Sequence, residues 1–316
     1  RLEARRVADG AALTDAGDLP RSHWEAGWEA LLSVASDPDV DVVVNALVGA
    51  VGLEPTLVAL GAGKRLALAN KESLVAGGPL VLEASRRGGG ELVPIDSEHS
   101  AILQCVAGAA PDCIARVMLT ASGGPFRGWN SDALAGVRPS DALRHPTWEM
   151  GAKITVDSAT LANKALEVIE AHFLYGLPYL AIEVVVHPQS IVHSFVEFVD
   201  GSVLAQMGFP TMELPILYAL SFPDRADDAR LRTFDPVRTS PLTFEPLDRE
   251  RFPLFDLGVV AGRQGGTAPA VFNAANEVAV EAFLRERISF SAMAGVVEST
   301  LEESDERPVA GVEDVL

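Results

Sequence analysis

Cysteine is nearly missing from this chain: Cys105 and Cys113 are the only two among 316 residues. That excludes a disulfide-stapled scaffold and fits a reducing compartment. Long apolar runs are missing as well. No stretch approaches the roughly 20 residues a membrane span needs, and no signal-peptide pattern occurs, so no membrane association and a cytoplasmic location are expected. Positive charge is scarce, with 25 Lys and Arg against 44 Asp and Glu, a formal net charge of −19. Such a surface repels a nucleic-acid backbone, so nucleic acid is not an expected partner. An anionic small molecule needs a local basic pocket within this acidic envelope. Aromatic residues make up only 6%, but 48% of the chain is hydrophobic, which leaves enough aliphatic side chains for a core. At about 150 residues per domain, the length allows two domains or three. The chain runs from Arg1 directly into a charged, helix-like stretch and stops at Leu316 where a helix is beginning; this reads as a fragment clipped at both ends.

From 39 to 96 strand and helix patterns alternate. Strands are expected at 41–47, 65–69 and 92–95, with helices at 54–61 and 71–87, the second interrupted by Gly77-Gly78-Pro79. That alternation predicts a parallel, doubly wound sheet whose ligands gather at the carboxyl ends of its strands. Asn45, the Asn70-Lys71-Glu72 run and Asp96 all fall at such ends. Beyond residue 97 the pattern becomes α+β. A helix is expected at 100–108, a strand at 115–121, a Gly- and Pro-rich loop over 122–151, and a short segment 154–156 leading into a helix from about 159 to 175. Strands follow at 182–186, 191–199 and 203–207, the last two joined by an Asp200-Gly201 hairpin. The predicted architecture is α/β: a partial Rossmann-like parallel-sheet domain (1–95), an α+β catalytic domain (96–222), a connecting segment with little periodicity (223–267) and a small helical C-terminal domain (268–316).

Asp96-Ser97-Glu98-His99 places two carboxylates around a serine at a strand end. In extended backbone, residues two apart face the same way, so both acids can converge on a hard cation such as Mg²⁺ or Mn²⁺. A solvated turn with a helix cap explains the same residues. Ser158 precedes the helix at about 159, where Asn163 and Glu167 share a face with Lys164 beside them. Hydroxyls, an amide and a lysine at a helix start suit a phosphate, and Glu167 could complete a metal site. The alternative is an amphipathic helix with an exposed Lys164–Glu167 pair. Ser122-Gly123-Gly124 is either part of a phosphate cradle or simply a turn. His145 through Trp148 lie in the long loop, as a lid or as side chains packed on the scaffold. His187 and His193 read as satisfied core histidines, and Lys71 as a charge partner for a substrate oxygen or an ordinary surface lysine.

Six blocks taken together, Leu68–Ser73, Pro94–His99, Ala121–Phe126, His145–Trp148, Val156–Glu167 and His187–Ser190, closely resemble the 1-deoxy-D-xylulose 5-phosphate reductoisomerases, and Phe272–Glu277 also fits. The resemblance implies an NADPH-dependent homodimeric enzyme that rearranges and reduces a ketose phosphate, committing carbon to non-mevalonate isoprenoid synthesis. It implies that Asp96, Glu98 and Glu167 bind Mg²⁺ or Mn²⁺, and that Ser97 and Lys71 contact the hydroxyl and carbonyl region of the substrate. Ser122, Ser158, Asn163 and Lys164 would hold the phosphate, while His145 would close over the sugar with Trp148. Lys71, Ser97, Glu98, His145 and Glu167 are the implied catalytic residues; Asn70, Glu72 and Gly151 would touch NADPH, with His193 and Met212 as neighbours of the site. In the family, the first strand and the glycine-rich turn for the NADPH pyrophosphate precede the residue matching Arg1, and Gly49-Ala-Val-Gly52 does not replace them. The alternative is a phosphosugar- and metal-binding module without redox activity.

Overall fold

A computed structural model describes residues 26–316; the charged, helix-like amino-terminal stretch lies outside the described residues. After α1 (Trp28–Ala35), three short strands, β1 (Val42–Asn45), β2 (Arg65–Leu68) and β3 (Glu91–Pro94), pair in parallel in that order. They are connected by α2 (Leu53–Gly61) and α3 (Lys71–Gly88). Their aliphatic residues earn the parallel arrangement: Leu66 and Ala67 of the middle strand are fully buried, as a sheet covered on both faces requires. The alternation expected over 39–96 is therefore present. Gly77-Gly78-Pro79 does not end α3 but bends it, with Gly77 at φ −119° and ψ 22°. Gly78 is required by close approach, because a Cβ there would lie 2.4 Å from the ring of Phe173.

The second sheet is mixed. Its strands β4 (Ile114–Ala121), β5 (Ile182–Val186), β6 (Val192–Phe198), β7 (Val203–Met207) and β8 (Glu245–Pro246) stand in the order β7-β6-β4-β5-β8. Only β4 and β5 are parallel; β6 and β7 form the predicted hairpin, with Gly201 at φ 85° in its turn. In chain order α4 (Ser97–Cys105) links β3 to β4, and the short α5 (Ser131–Ala135) and α6 (Pro139–Ala142), α7 (Ala152–Thr160) and α8 (Ala162–Tyr175) lie between β4 and β5. Later come α9 (Glu213–Ser221), α10 (Pro236–Thr239), α11 (Pro253–Gln264), α12 (Ala268–Leu284) and α13 (Ala292–Glu303).

Three expectations need correction. The helix predicted at 100–108 begins at Ser97, so Ser97 and Glu98 occupy its first turn rather than extended backbone. The helix predicted from about 159 to 175 is two helices: α7 already covers 152–160, and Leu161, at φ 62°, breaks it before α8 starts. Ser158 thus lies in the last turn of α7, not ahead of a helix. The segment 223–267 is not without periodicity throughout, since α11 buries Leu254, Phe255, Val259 and Ala261.

The main hydrophobic core gathers around α8, where Ala165, Leu166 and Ile169 meet Phe126, Phe252, Phe272 and Phe283. A smaller cluster, with Leu53, Leu60, Leu66 and Leu74, fills the parallel-sheet half. Phe173 packs against both clusters.

Candidate active site

The carboxyl ends of β3 and β4 and the junction of α7 with α8 meet at one cavity of about 250 Å³. Asp96 stands at the N-cap position of α4, yet its side chain caps nothing. Its carboxylate instead accepts from Lys71 Nζ at 2.7 Å. Glu98 follows in the first turn, and Glu167 faces both from α8. Oxygens of Asp96, Glu98 and Glu167 all lie within 4.8 Å of one another. Three convergent carboxylates are hard donors of the kind that hold Mg²⁺ or Mn²⁺.

Two buried ammonium groups balance these acids. Lys71 also donates to Asn163 Oδ1 at 2.7 Å and lies 3.6 Å from Glu167 Oε1. Lys164 bridges Glu98 Oε1, at 2.5 Å, and Glu167 Oε2. Burial alone would discharge both lysines, but the facing carboxylates outweigh it and hold both pKa values above the usual lysine range. The same logic splits the acids. Asp96 loses water too, but Lys71, with His99 and Lys164, drives its pKa down. Glu167 is pushed up to about 7, chiefly by burial and by the charge of Glu98, against the pull of Lys164. Like charges crowded at a buried position do this, and a divalent cation would relieve it. Counted formally, three carboxylates and two ammoniums leave one negative charge. The donor set therefore fits a divalent cation.

The other side of the cavity is lined mainly by neutral groups, with the exposed Glu149 of the loop as its charged member. Ser122 follows β4, and its Oγ meets His145 Nε2 at 3.0 Å and accepts from Gly124 N at 3.2 Å. His145 Nδ1 accepts from the backbone amides of Thr147 and Trp148, at 3.1 and 2.8 Å. Nδ1 is thereby the acceptor, so the ring proton sits on Nε2 and points at Ser122. Burial lowers the His145 pKa and keeps the ring neutral. Gly124, at φ 68°, lets the turn approach α7 so closely that a Cβ there would lie 2.7 Å from the Ser158 carbonyl oxygen. This brings Ser122 and Ser158 to the same wall, with Trp148, Asn163, His193 and Met212 also lining the space.

Most residues predicted for the site thus surround one cavity: Lys71, Asp96, Ser97, Glu98, Ser122, His145, Trp148, Ser158, Asn163, Lys164 and Glu167. Lys164 and Glu167 are 4% and 1% exposed, which removes the reading of an exposed surface pair. Lys71 is likewise buried, not an ordinary surface lysine. Asn70, Glu72 and Gly151 do not line this cavity. Asn70 is the N-cap of α3 and donates to the carbonyls of Leu47 and Gly49, so its polar atoms are engaged inside the fold. Glu72 accepts from Asn70 at 3.0 Å, and Gly151 is the exposed N-cap of α7. His187 is a satisfied core histidine, as its position predicted: Nε2 accepts from Ile191 N and Nδ1 reaches Thr243 O.

Sequence reasoning missed the bend at Leu161. Non-glycine residues rarely adopt positive φ, and such strain collects at functional sites. It also missed Glu170, three residues after Glu167, whose Oε2 is 3.2 Å from Nε2 of the fully buried His99. The i, i+3 spacing of the two glutamates on α8 was the available signal.

An α/β protein whose polar cavity suits a divalent cation beside a small phosphorylated ligand is the class these features define. Family models narrow it. Residues 8–78 match 1-deoxy-D-xylulose 5-phosphate reductoisomerase, residues 92–175 its C-terminal domain, and residues 207–316 the DXP reductoisomerase C-terminal domain. The chain is 54% identical over 300 residues to the 1-deoxy-D-xylulose 5-phosphate reductoisomerase of Gloeobacter violaceus, covering 95% of this chain and 76% of that protein. It is 52% identical over 312 residues to that of Mycobacterium tuberculosis, covering 98% and 74%. Among solved structures, the reductoisomerase from Zymomonas mobilis in complex with NADPH superposes with a TM-score of 0.85 at 44% identity, over 91% of this chain and 74% of that one. A DOX-P reductoisomerase in complex with NADPH, fosmidomycin and magnesium gives 0.88 at 41% identity, over 98% and 80%. This chain belongs to the 1-deoxy-D-xylulose 5-phosphate reductoisomerase family.

Proposed function

We infer that this protein is an NADPH-dependent oxidoreductase that converts 1-deoxy-D-xylulose 5-phosphate to 2-C-methyl-D-erythritol 4-phosphate, a step of non-mevalonate isoprenoid precursor synthesis. The observation that carries the reading is the convergence of Asp96, Glu98 and Glu167 beside a lysine- and hydroxyl-lined cavity, in a chain more than half identical to named reductoisomerases. The bound cofactor and metal of the related structures favour it over a binding module without redox chemistry.

Asp96, Glu98 and Glu167 would hold Mg²⁺ or Mn²⁺, which supplies Lewis-acid stabilisation of charge on the sugar oxygens as the skeleton rearranges. Lys71 and Ser97 stand beside those acids, where they can donate to the substrate's hydroxyl and carbonyl oxygens. Ser122, Ser158 and Asn163 would bind the phosphate with Lys164, using its binding energy to orient the sugar. His145 and Trp148 lie on the loop over the cavity, where closure excludes water from the reacting carbons. Hydride transfer is NADPH chemistry and calls for no protein nucleophile. Asn70, Glu72 and Gly151, at the starts of α3 and α7, would touch NADPH, with Asn70 held in place by the carbonyls of Leu47 and Gly49.

Two further parts of this reading are a homodimer and a cytoplasmic location. β7 is the free edge of its sheet and exposes Val203, Leu204 and Met207, which supports pairing with a second copy. Among the described residues, no helix is long and apolar enough to cross a membrane. The test is NADPH oxidation by the full-length protein with 1-deoxy-D-xylulose 5-phosphate, with and without Mg²⁺. Metal-dependent turnover is expected; binding of the sugar phosphate with no oxidation of NADPH would instead establish the binding module.

A further inference from the structure

One ion cluster, in which a half-buried lysine meets two buried acids, is used by no step above. Lys153, in the first turn of α7, donates to Asp157 Oδ2 at 3.0 Å and lies 3.4 Å from Glu72 Oε1. The fully buried Asn276 of α12 donates to the other oxygen of Asp157 at 2.7 Å. One ammonium and one amide thus join the start of α3, the middle of α7 and a helix more than a hundred residues further along. Glu72 and Asp157 are 6% and 1% exposed, so without Lys153 two carboxylates would share a space from which water is nearly excluded. Removing one partner of a buried pair is far more disruptive than losing an exposed bridge. Burial opposes the charge on Lys153, but Asp157 and Glu72 outweigh it and raise its pKa.

The sequence neighbours of the cluster give it meaning. Glu72 follows Lys71, whose ammonium reaches the acid group, and Asp157 precedes Ser158 on the cavity wall. α7 is also where the segment 122–151, a loop interrupted by the short α5 and α6 and not the continuous loop expected from the sequence, re-enters the fold. We propose that Lys153 is a positioning residue: through Glu72 and Asp157 it fixes Lys71 relative to Ser158 and anchors the root of the loop. The sugar phosphate then meets an assembled wall and does not have to order it with its own binding energy. This rests on the roles proposed above for Lys71 and Ser158.

A bridge that only stabilised the fold would lower the melting temperature and leave the kinetics of the folded molecules alone. The test uses Lys153→Met, Lys153→Arg, Asn276→Ala and the Lys153→Met/Asn276→Ala double variant of the full-length protein. For Lys153→Met, kcat/KM is expected to fall about 30-fold, mostly through a higher KM for the sugar phosphate. Lys153→Arg should recover most of the loss. Asn276→Ala should show a smaller rise in KM, and the double variant should be no worse than Lys153→Met alone, because both act through Asp157. Hydrogen exchange at residues 152–160 should quicken in Lys153→Met and in Asn276→Ala, and it can be read whether or not the protein turns over. An inactive wild type would count against the reductoisomerase reading, while exchange would still decide the role of Lys153. Should Lys153→Met fail to fold, Asn276→Ala carries the same comparison. Unchanged KM with only a lower melting temperature, an arginine variant no better than methionine, or unaltered exchange would each overturn the proposal.

Discussion

The two sides of the cavity are built on opposite terms. On the acid side every charged group is already answered by another, with Asp96, Glu98 and Glu167 balanced by Lys71 and Lys164. On the hydroxyl side, Ser122 rests on a neutral His145 from a loop, and the charge that loop brings to the lining, Glu149, is exposed to solvent and bridges no other group of the site. The acid side is held by α4 and α8, elements fixed by the main core, whereas the hydroxyl side depends on a glycine turn and a loop. One side is preorganised by charge, the other by backbone geometry. Substitutions on the first should therefore cost catalysis, and those on the second substrate affinity.

The largest effect tests the acid side. Glu167→Gln keeps the shape and removes a charge, and it should lower metal-dependent turnover by at least about 10³-fold while circular dichroism stays unchanged. Wild-type-like activity of this variant at limiting Mg²⁺ would sink the metal assignment. The same variant should lose the thermal stabilisation Mg²⁺ gives the wild type, which reaches about 2.7 kcal/mol at a concentration of 100 Kd. Gly124→Ala comes next. The position combines φ 68° with the Ser158 carbonyl in the way of any Cβ, so a loss of about 1–3 kcal/mol of stability is expected, with a clear rise in KM. A calorimetric scan showing no destabilisation would mean that the turn can relax away from α7. Ser122→Ala removes one neutral hydroxyl and should raise KM for the sugar phosphate about tenfold with kcat little changed, since a single hydrogen bond to a charged group is worth about 1.5–3 kcal/mol. If kcat fell instead and KM did not, the contrast between the two sides would be misdrawn. Trp148→Phe should be mildest, a few-fold in kcat/KM, because the ring is retained on the loop.

How much of this was legible in the sequence follows the same division. The acids and lysines could be read because each stands at the end of a strand or on one face of a helix, positions that periodicity marks. The α7–α8 junction could not. Ile154, Thr155 and Val156 favour extended backbone through their branched side chains, yet Thr155 and Val156 are buried within a helix. Tertiary burial overrode local preference. Likewise Asn70 stands at a strand end, where a ligand contact is a fair expectation. Its amide is engaged by the carbonyls of Leu47 and Gly49, more than twenty residues away, and nothing local announces them. α11 was hidden for a simpler reason: it follows a proline-rich, charged stretch whose composition masks its twelve residues.

Phe173 packs against the hydrophobic cluster of the parallel sheet and against that of the mixed sheet, and it presses directly on Gly78. A ring shared in this way links the melting of one half to the melting of the other. The two sheets are thereby expected to unfold in a single cooperative transition, so the half that bears Glu167 and the half that bears Lys71 are lost or kept together.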